Sequence, residues 1–487
     1  VADETKNIYC IAIGGTGMAP LACLLQELGH HLHGSDGPLY PPMSTLLAGA
    51  GIEPLVGFDP AHLGEPPEAP DLVVVGNAVP RHNPEALRAE ELAARGVLER
   101  ISMPQAIARF LLAGRRPLVV AGTHGKTTTT AMAAWVYHDC GVDPGFLIGG
   151  APQNLPTSFQ VGTDAPFVIE GDEYNAAYFD RGPKFLHYQP QTVILNSAEY
   201  DHADLYPEPE ALRQAYRQLL ALVPEDGLVV AFGDGEGMDA VLGAARARVL
   251  RFGWGEGCPV RPMGGLAGVV MTPEGSHFRL LDRGGEPHTI QLPVPGRHNV
   301  LNALAVWGAT VFGAAPDALE PAAVARALGR FQGVQRRLQE LGSVAGVTVV
   351  DDFAHHPTAV RESLDALARC YPGQRRIALF EPRSLTAGRR FFHQAYVEAF
   401  GGADAVILAP IFHAGRLADD QRLDLARLAE EVTAAGTPVT VCADLDEVYR
   451  QGLEAARPGT VLVTMSSGAF GGMPGRLLAG LAAAGGS

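Results

Sequence analysis

Lysine is almost missing from this chain. Of its 37 basic residues only Lys6, Lys126 and Lys184 are lysines, which leaves 34 arginines. A cationic pocket must therefore be built mostly from guanidinium groups, and a lysine inside a recognisable pattern is not incidental. An excess of positive charge is missing as well. The formal net charge of −16 at pH 7 argues against a nonspecific nucleic-acid or membrane-surface partner, while leaving room for a local pocket that takes an anion. The six cysteines, Cys10, Cys23, Cys140, Cys258, Cys370 and Cys442, show no C-x-x-C spacing, so neither a disulfide framework nor a zinc site is indicated and a reducing cytoplasm fits. No uninterrupted apolar run reaches about 18 residues, and no basic segment precedes an apolar core at the start, so neither membrane insertion nor secretion is implied. Nothing in the sequence speaks to oligomeric state. What is present is 487 residues, too many for one core, and at roughly 150 residues per domain about three domains are expected.

The most informative stretch is Val119-Val120-Ala121-Gly122-Thr123-His124-Gly125-Lys126-Thr127-Thr128. An apolar run before it predicts a buried strand and Ala131-Met132-Ala133-Ala134-Trp135 after it predicts a helix, so the glycines fall at a strand-to-helix turn. Amides at a helix start point outward and carry partial positive charge, which suits polyphosphate. Lys126 would reach the β- and γ-phosphates and Thr127 would hold Mg2+. The strict motif has a glycine where Val120 stands, but the Gly125-Lys126-Thr127 core is intact.

Upstream, Ile8-Tyr9-Cys10-Ile11-Ala12-Ile13 runs into Gly14-Gly15-Thr16-Gly17-Met18 and a helix from about Ala19 to Leu28. A short strand then ends at Gly34-Ser35-Asp36. This is a Rossmann-like nucleotide fingerprint without its last glycine, in which Asp36 either accepts a ribose hydroxyl or caps a turn. Downstream, Phe167-Val168-Ile169 leads into Glu170-Gly171-Asp172-Glu173, and Thr192-Val193-Ile194-Leu195 into Asn196 and then Glu199-Tyr200-Asp201-His202. Oxygen and imidazole donors at two strand ends beside a phosphate loop can hold Mg2+ or Mn2+. Asn299 and Asn302 share a helix face and offer either adenine contacts or ordinary capping. Arg336-Arg337 precedes a strand ending in Asp351-Asp352-Phe353-Ala354-His355-His356-Pro357-Thr358, and apolar strands then alternate with helices to the end, a third α/β domain.

Taken together, Gly122 to Thr128, Glu170 to Glu173, Asp201-His202, Gly296-Arg297-His298-Asn299-x-x-Asn302, Arg336-Arg337 and Asp351 to Thr358 resemble the Mur ligases, in the same order and over essentially the whole chain. The resemblance implies an α/β enzyme of three domains: a Rossmann-like UDP-sugar domain (1–114), a central P-loop-type ATPase domain (115–332) and a C-terminal Rossmann-like peptide domain (333–487). It implies an ATP- and Mg2+-dependent amide ligase acting on UDP-N-acetylmuramate. The segments Glu173 to Asp180, Lys184 to Tyr188, Glu381-Pro382-Arg383-Ser384 and Met465 to Gly472 favour the branch whose acceptor is L-alanyl-γ-D-glutamyl-meso-diaminopimelate, used in peptidoglycan recycling. L-alanine as acceptor is the alternative. A nicotinamide-dependent oxidoreductase carrying an ATPase domain is a remote second class.

Carried onto this sequence, the resemblance places Gly14, Gly15, Thr16, Gly17, Met18, Ser35 and Asp36 at the UDP-sugar. ATP is assigned to Gly122, Thr123, His124, Gly125, Lys126, Thr127, Thr128, Asn299, Asn302, Arg337 and Asp352, and the metal to Thr127, Glu170 and His202. His355, His356 and Arg383 face the peptide. Lys126, Glu170, His202, Arg337, Asp352 and His355 form the catalytic set. Domain closure is expected, because the acyl phosphate must be kept from water.

Overall fold

The computed structural model describes residues 5–201, 205–235, 237–313 and 318–485. Among the described residues no helix is long and apolar enough to cross a membrane. Four sheets organise the described residues. The first contains β1 (Asn7–Ile11), β2 (His31–Asp36), β3 (Leu55–Val56), β4 (Leu72–Val75) and β5 (Glu99–Ser102), in the order β3-β2-β1-β4-β5. All its pairings are parallel. The strand order reverses at β1, so a crevice opens past the C-terminal end of that strand, where Gly14 to Gly17 lie.

The second sheet contains β6 (Arg116–Ala121), β7 (Gly145–Leu147), β8 (Phe159–Gln160), β9 (Pro166–Gly171), β10 (Thr192–Leu195), β11 (Leu228–Phe232) and β12 (Arg248–Phe252), ordered β12-β11-β10-β6-β9-β7-β8. It is parallel except for the β7–β8 pair. Parallel strands covered on both faces read as continuous apolar runs, and Leu118 to Ala121, Phe167 to Ile169 and Val193 to Leu195 are all buried. The register sets Val120 opposite Glu170 and Ala121 opposite Leu195, which brings the ends of β9 and β10 to the two sides of the turn after β6.

These two sheets belong to one compact unit, made of Val1–Glu199, Glu210–Val260 and Ala305–Ala327. The segment after β9 ties them together. Tyr178 and Phe179 pack on the core of the first sheet. Arg100 on β5 donates to the Tyr178 hydroxyl at 2.5 Å and lies 4.2 Å from the Phe179 ring centre. Ser102 donates to Asp180 at 2.8 Å.

A second unit comprises Tyr200–Pro209, Arg261–Leu304 and Leu328–Ser487. It carries an antiparallel meander, β13 (Val270–Thr272), β14 (Gly275–Leu281) and β15 (Pro287–Leu292), which the sequence reading did not anticipate. It also carries the last sheet: β16 (Gln339–Val344), β17 (Val347–Asp352), β18 (Arg375–Phe380), β19 (Ala405–Leu408), β20 (Val439–Val441) and β21 (Thr460–Met465), ordered β16-β17-β21-β18-β19-β20. Only β16 runs antiparallel to its neighbour. Two apolar clusters cover this sheet, one built around Phe380, Tyr396 and Phe400 and the other around Leu379, Phe470 and Leu477.

Candidate active site

The turn after β6 is shaped by its glycines. Gly122 has φ +117° and Gly125, at the N-terminus of the helix Lys126–Asp139, has φ +75°. That helix has no side-chain cap, so its first amides are directed at the turn. The loop is braced from β10: Thr123 Oγ1 donates to the Glu199 carbonyl at 2.6 Å and the His124 amide to Ser197 Oγ at 3.1 Å. Asn196 Nδ2 donates to Thr129 Oγ1 at 2.9 Å, and Thr128 is buried.

Lys126 Nζ donates to the Gly122 carbonyl at 2.7 Å and meets both Glu173 oxygens, at 2.9 and 3.0 Å. Burial works against its charge, but Glu173, Asp172 and Glu170 outweigh it and hold the ammonium pKa above its ordinary value. Thr127 Oγ1 donates to Glu170 Oε2 at 3.2 Å, and the Gly149 amide donates to Glu170 Oε1 at 2.5 Å. A hydroxyl and a carboxylate side by side at a helix start are hard oxygen donors, and this pair fits Mg2+ or Mn2+. His202, expected to complete the set, lies outside the described residues.

In the first sheet, the Asp36 carboxylate accepts the Gly14 amide at 2.8 Å and the Gly37 amide at 2.7 Å, so here it acts as the cap of the glycine turn. Gly15 and the exposed Thr16 complete that turn, and Gly17 opens the helix Met18–Glu27. Two of the expected sugar-nucleotide residues have buried side chains. Met18 is in the core, and the Ser35 hydroxyl donates to the buried Glu85 carboxylate, so any contribution at the turn comes from their backbone.

In the second unit, Asn299 Nδ2 donates to the Pro295 carbonyl at 2.6 Å and Asn302 Nδ2 to Asn299 Oδ1 at 3.1 Å, both side chains being buried on one helix face. The paired arginines diverge. Arg336 is bound into the fold through Asp351 at 3.0 Å and the carbonyls of Ser466 and Gly468 at 2.9 and 2.6 Å. Arg337 lies 4.7 Å from the Phe353 ring centre, with its charge beside Asp352 and His298. Asp352 is buried and accepts from the amides of Ala354 and Leu338 and from Ser363 Oγ, at 2.7, 3.1 and 3.1 Å. Burial raises its carboxyl pKa; Arg337 and these donors oppose the rise.

The adjacent histidines differ in tautomer. His355 Nδ1 lies 3.0 Å from the Phe353 carbonyl, which can only accept, so Nδ1 carries the proton and Nε2 is the basic nitrogen. His356 Nδ1 instead accepts the Thr358 amide at 3.3 Å as the N-cap of the helix Pro357–Cys370, which puts the proton on Nε2. Arg383 stacks on Phe412 at 3.8 Å and pairs with Glu381 at 3.5 Å.

A strand-end glycine turn with oxygen donors beside it, on a largely parallel sheet preceded by a Rossmann-type sheet and followed by another, has relatives among known proteins. Residues 7–113 match the description "Mur ligase family, catalytic domain", 120–310 "Mur ligase middle domain" and 336–468 "Mur ligase, glutamate ligase domain". The chain belongs to the Mur ligase family. It is 38% identical over 482 residues, 98% of both chains, to the UDP-N-acetylmuramate–L-alanyl-γ-D-glutamyl-meso-2,6-diaminoheptandioate ligase of Escherichia coli (strain K12). A UDP-N-acetylmuramate–L-alanine ligase of Kineococcus radiotolerans is 35% identical, covering 95% of this chain and 93% of its own. The crystal structure of a murein peptide ligase from Psychrobacter arcticus 273-4 superposes with a TM-score of 0.70 at 31% identity, covering 98% of this chain and 99% of its own. The Mur ligase is thus an α/β enzyme of three family domains, two of whose sheets share one compact unit.

Neither Glu173 nor Lys184 was given a role at the turn after β6 on sequence grounds. Ser197 and the Gly149 amide were also missed. Lysine scarcity was the available signal for Lys184, which stands twelve residues after Asp172, whereas Lys126, 47 residues before Glu173, meets the acidic pair only in the folded chain.

Proposed function

We propose that this Mur ligase joins UDP-N-acetylmuramate to L-alanyl-γ-D-glutamyl-meso-diaminopimelate with consumption of ATP. The observation that carries the reading is 38% identity over 98% of both chains to the Escherichia coli enzyme of that name, supported by the arrangement of Lys126, Thr127 and Glu170 at the glycine turn. A lactyl carboxylate oxygen attacks the γ-phosphorus, the bond to the bridging oxygen breaks, and ADP leaves. The peptide amine then attacks the acyl carbonyl, loses a proton and expels inorganic phosphate, leaving the amide.

Both partners of the first step are anions, so positive charge must surround the transferring group. Lys126 and the amides at the start of its helix supply it from the first unit, and the family resemblance assigns Arg337 to the same task. Bound Mg2+, held by Thr127 and Glu170 with His202 as the expected third ligand, would add Lewis-acid charge. For the second step His355, with Nε2 as its basic nitrogen, suits proton acceptance better than His356 or the fully engaged Asp352. The glycine turn with Asp36 takes the UDP-sugar, Asn299 and Asn302 the adenine region, and Arg383 with the two histidines the acceptor. The domains then divide the substrates as 1–114, 115–332 and 333–487.

ADP release measured with UDP-N-acetylmuramate, ATP and either acceptor tests the reading. The tripeptide should support turnover at least tenfold better than L-alanine at equal concentration. The 35% identity to an L-alanine ligase favours the second reading, and preference for L-alanine would establish it in place of the first.

A further inference from the structure

The loop after β9 presents two consecutive acids to two different lysines. Glu173, 1% exposed, takes Lys126 at 2.9 Å, and Asp172, about a third exposed, takes Lys184 at 2.6 Å. Lys184 arrives by way of a closed loop. Its amide donates to the Tyr174 carbonyl at 3.1 Å, the Ala176 amide donates to the Gly182 carbonyl at 3.1 Å, and Asn175 bridges Pro183. The Lys184 side chain is 11% exposed, so it is built into the structure and is not a passing surface ion.

We propose that Lys184 is a positioning residue for the phosphate-loop lysine: by engaging Asp172 it leaves Glu173 as the single carboxylate that orients Lys126. The inference rests on the reading of that loop as the ATP site. It also gives a physical reason for lysine in a chain that otherwise uses arginine. An ammonium is a compact point charge that serves one carboxylate, whereas a guanidinium fork reaches two acceptors at once and would bridge Asp172 and Glu173. The charge of Asp172 is felt at Lys126 even in the paired arrangement. Without Lys184, two carboxylates compete for Lys126. Without Asp172, two ammonium groups compete for Glu173. Either single loss unbalances the pairing, and removing both restores it.

The test is a double-substitution cycle in the full chain: Lys184→Met, Asp172→Asn and the two combined. Binding of a fluorescent ATP analogue is measured along with kcat and the KM for ATP and for UDP-N-acetylmuramate. Each single substitution should lower kcat about tenfold or more, a size expected for breaking one partner out of a largely buried pair. The KM for UDP-N-acetylmuramate should stay within about twofold, and the combined variant should return to within about threefold of the parent, a non-additivity that general destabilisation would not produce. Lys184→Arg should fail to restore function. Should Lys184→Met not fold, Asp172→Asn against the combined variant decides. Single variants with parental behaviour, or a combined variant no better than the worse single, overturn the inference while leaving the ATP site standing. A parent that does not bind the analogue overturns both.

Discussion

Replacing Gly122 by alanine perturbs the phosphate loop where the geometry leaves least room. With φ at +117°, a Cβ on Gly122 would stand 2.7 Å from the backbone nitrogen of Ser197 and 2.8 Å from its oxygen. Holding an L-residue in that backbone region costs about 1–3 kcal/mol, and forcing an extra carbon against backbone adds about 1–3 kcal/mol more. Relief requires the end of β6 to move away from residues 196–199. Those residues hold Thr123 and His124, while the Gly122 carbonyl itself accepts from Lys126 Nζ at 2.7 Å, so the lysine moves with the strand end. A total of about 2–6 kcal/mol in a domain of this size lowers Tm by at least about 4 °C. A displaced phosphate-loop ammonium costs about 100-fold in turnover, the usual scale for an ångström of misplacement. Thermal unfolding followed by circular dichroism, with ADP release at saturating ATP, measures both. A soluble Gly122→Ala variant with Tm within about 1 °C of the parent and parental turnover would refute the close-approach argument.

Arg336 and Arg337 should separate: Arg337→Ala is expected to lose at least about 100-fold in kcat with the smaller loss of Tm, whereas Arg336→Ala, which abandons Asp351 and two carbonyls, should lower Tm more. A Cβ on Gly468 would fall on the Arg383 guanidinium, 1.8 Å from Nε, so Gly468→Ala should raise the KM for the acceptor peptide several-fold and leave that for ATP alone in steady-state assays. The His298 imidazole pKa is pushed down to about 4 by burial and by Arg337. A folded pKa below the unfolded value of about 6.5 means that the unfolded chain binds the extra proton, so this stabilisation is complete above about pH 6.5 and is lost as pH falls toward 4. Allowing for screening at a partly exposed ring, the loss is about 1–2 kcal/mol. Urea midpoints at pH 7 and 4.5 should differ less in His298→Gln than in the parent, and equal differences would count against it.

How much of this was legible in the sequence depended on pattern length. The parallel strands were, because Leu72 to Val75 is a continuous apolar run, and Val347 to Val350 and Val461 to Met465 are apolar apart from the single threonines Thr348 and Thr464. The meander went unread although β14 alternates, with Phe278 and Leu280 buried and His277, Arg279 and Leu281 exposed. Its period-two signal lies in a context otherwise dominated by strand-helix alternation. β16 carries no comparable signal: Gln339-Glu340-Leu341-Gly342-Ser343-Val344 is a mostly polar edge strand with a bulge, formed because β17 offers it a partner. At the site, residue types and spacing singled out the turn after β6 and Glu170, which the structure brings side by side. They could not show that Arg336 is bound to Asp351 and two carbonyls, since that depends on which carbonyls from β21 and the loop after it arrive beside it.

Several residues satisfy both a plain structural role and a proposed functional one, and the two are energetically linked. Asp36 caps the glycine turn, Asn299 and Asn302 bond to each other and to the Pro295 carbonyl, and Lys126 is paired with Glu173. Each such pairing is a ground state that a ligand must displace or share. An ammonium has three donors, and those of Lys126 already face one carbonyl and two carboxylate oxygens, so a triphosphate must displace one of the three, and a Glu173 oxygen is the one whose loss changes the charge balance. That exchange trades a single negative charge for a more highly charged partner, but it leaves Glu173 buried and less well compensated, which subtracts from the affinity for ATP. Loosening the Glu173 pair should consequently tighten nucleotide binding and slow turnover together, because the same contact that opposes binding also fixes the direction in which Lys126 meets the phosphoryl group.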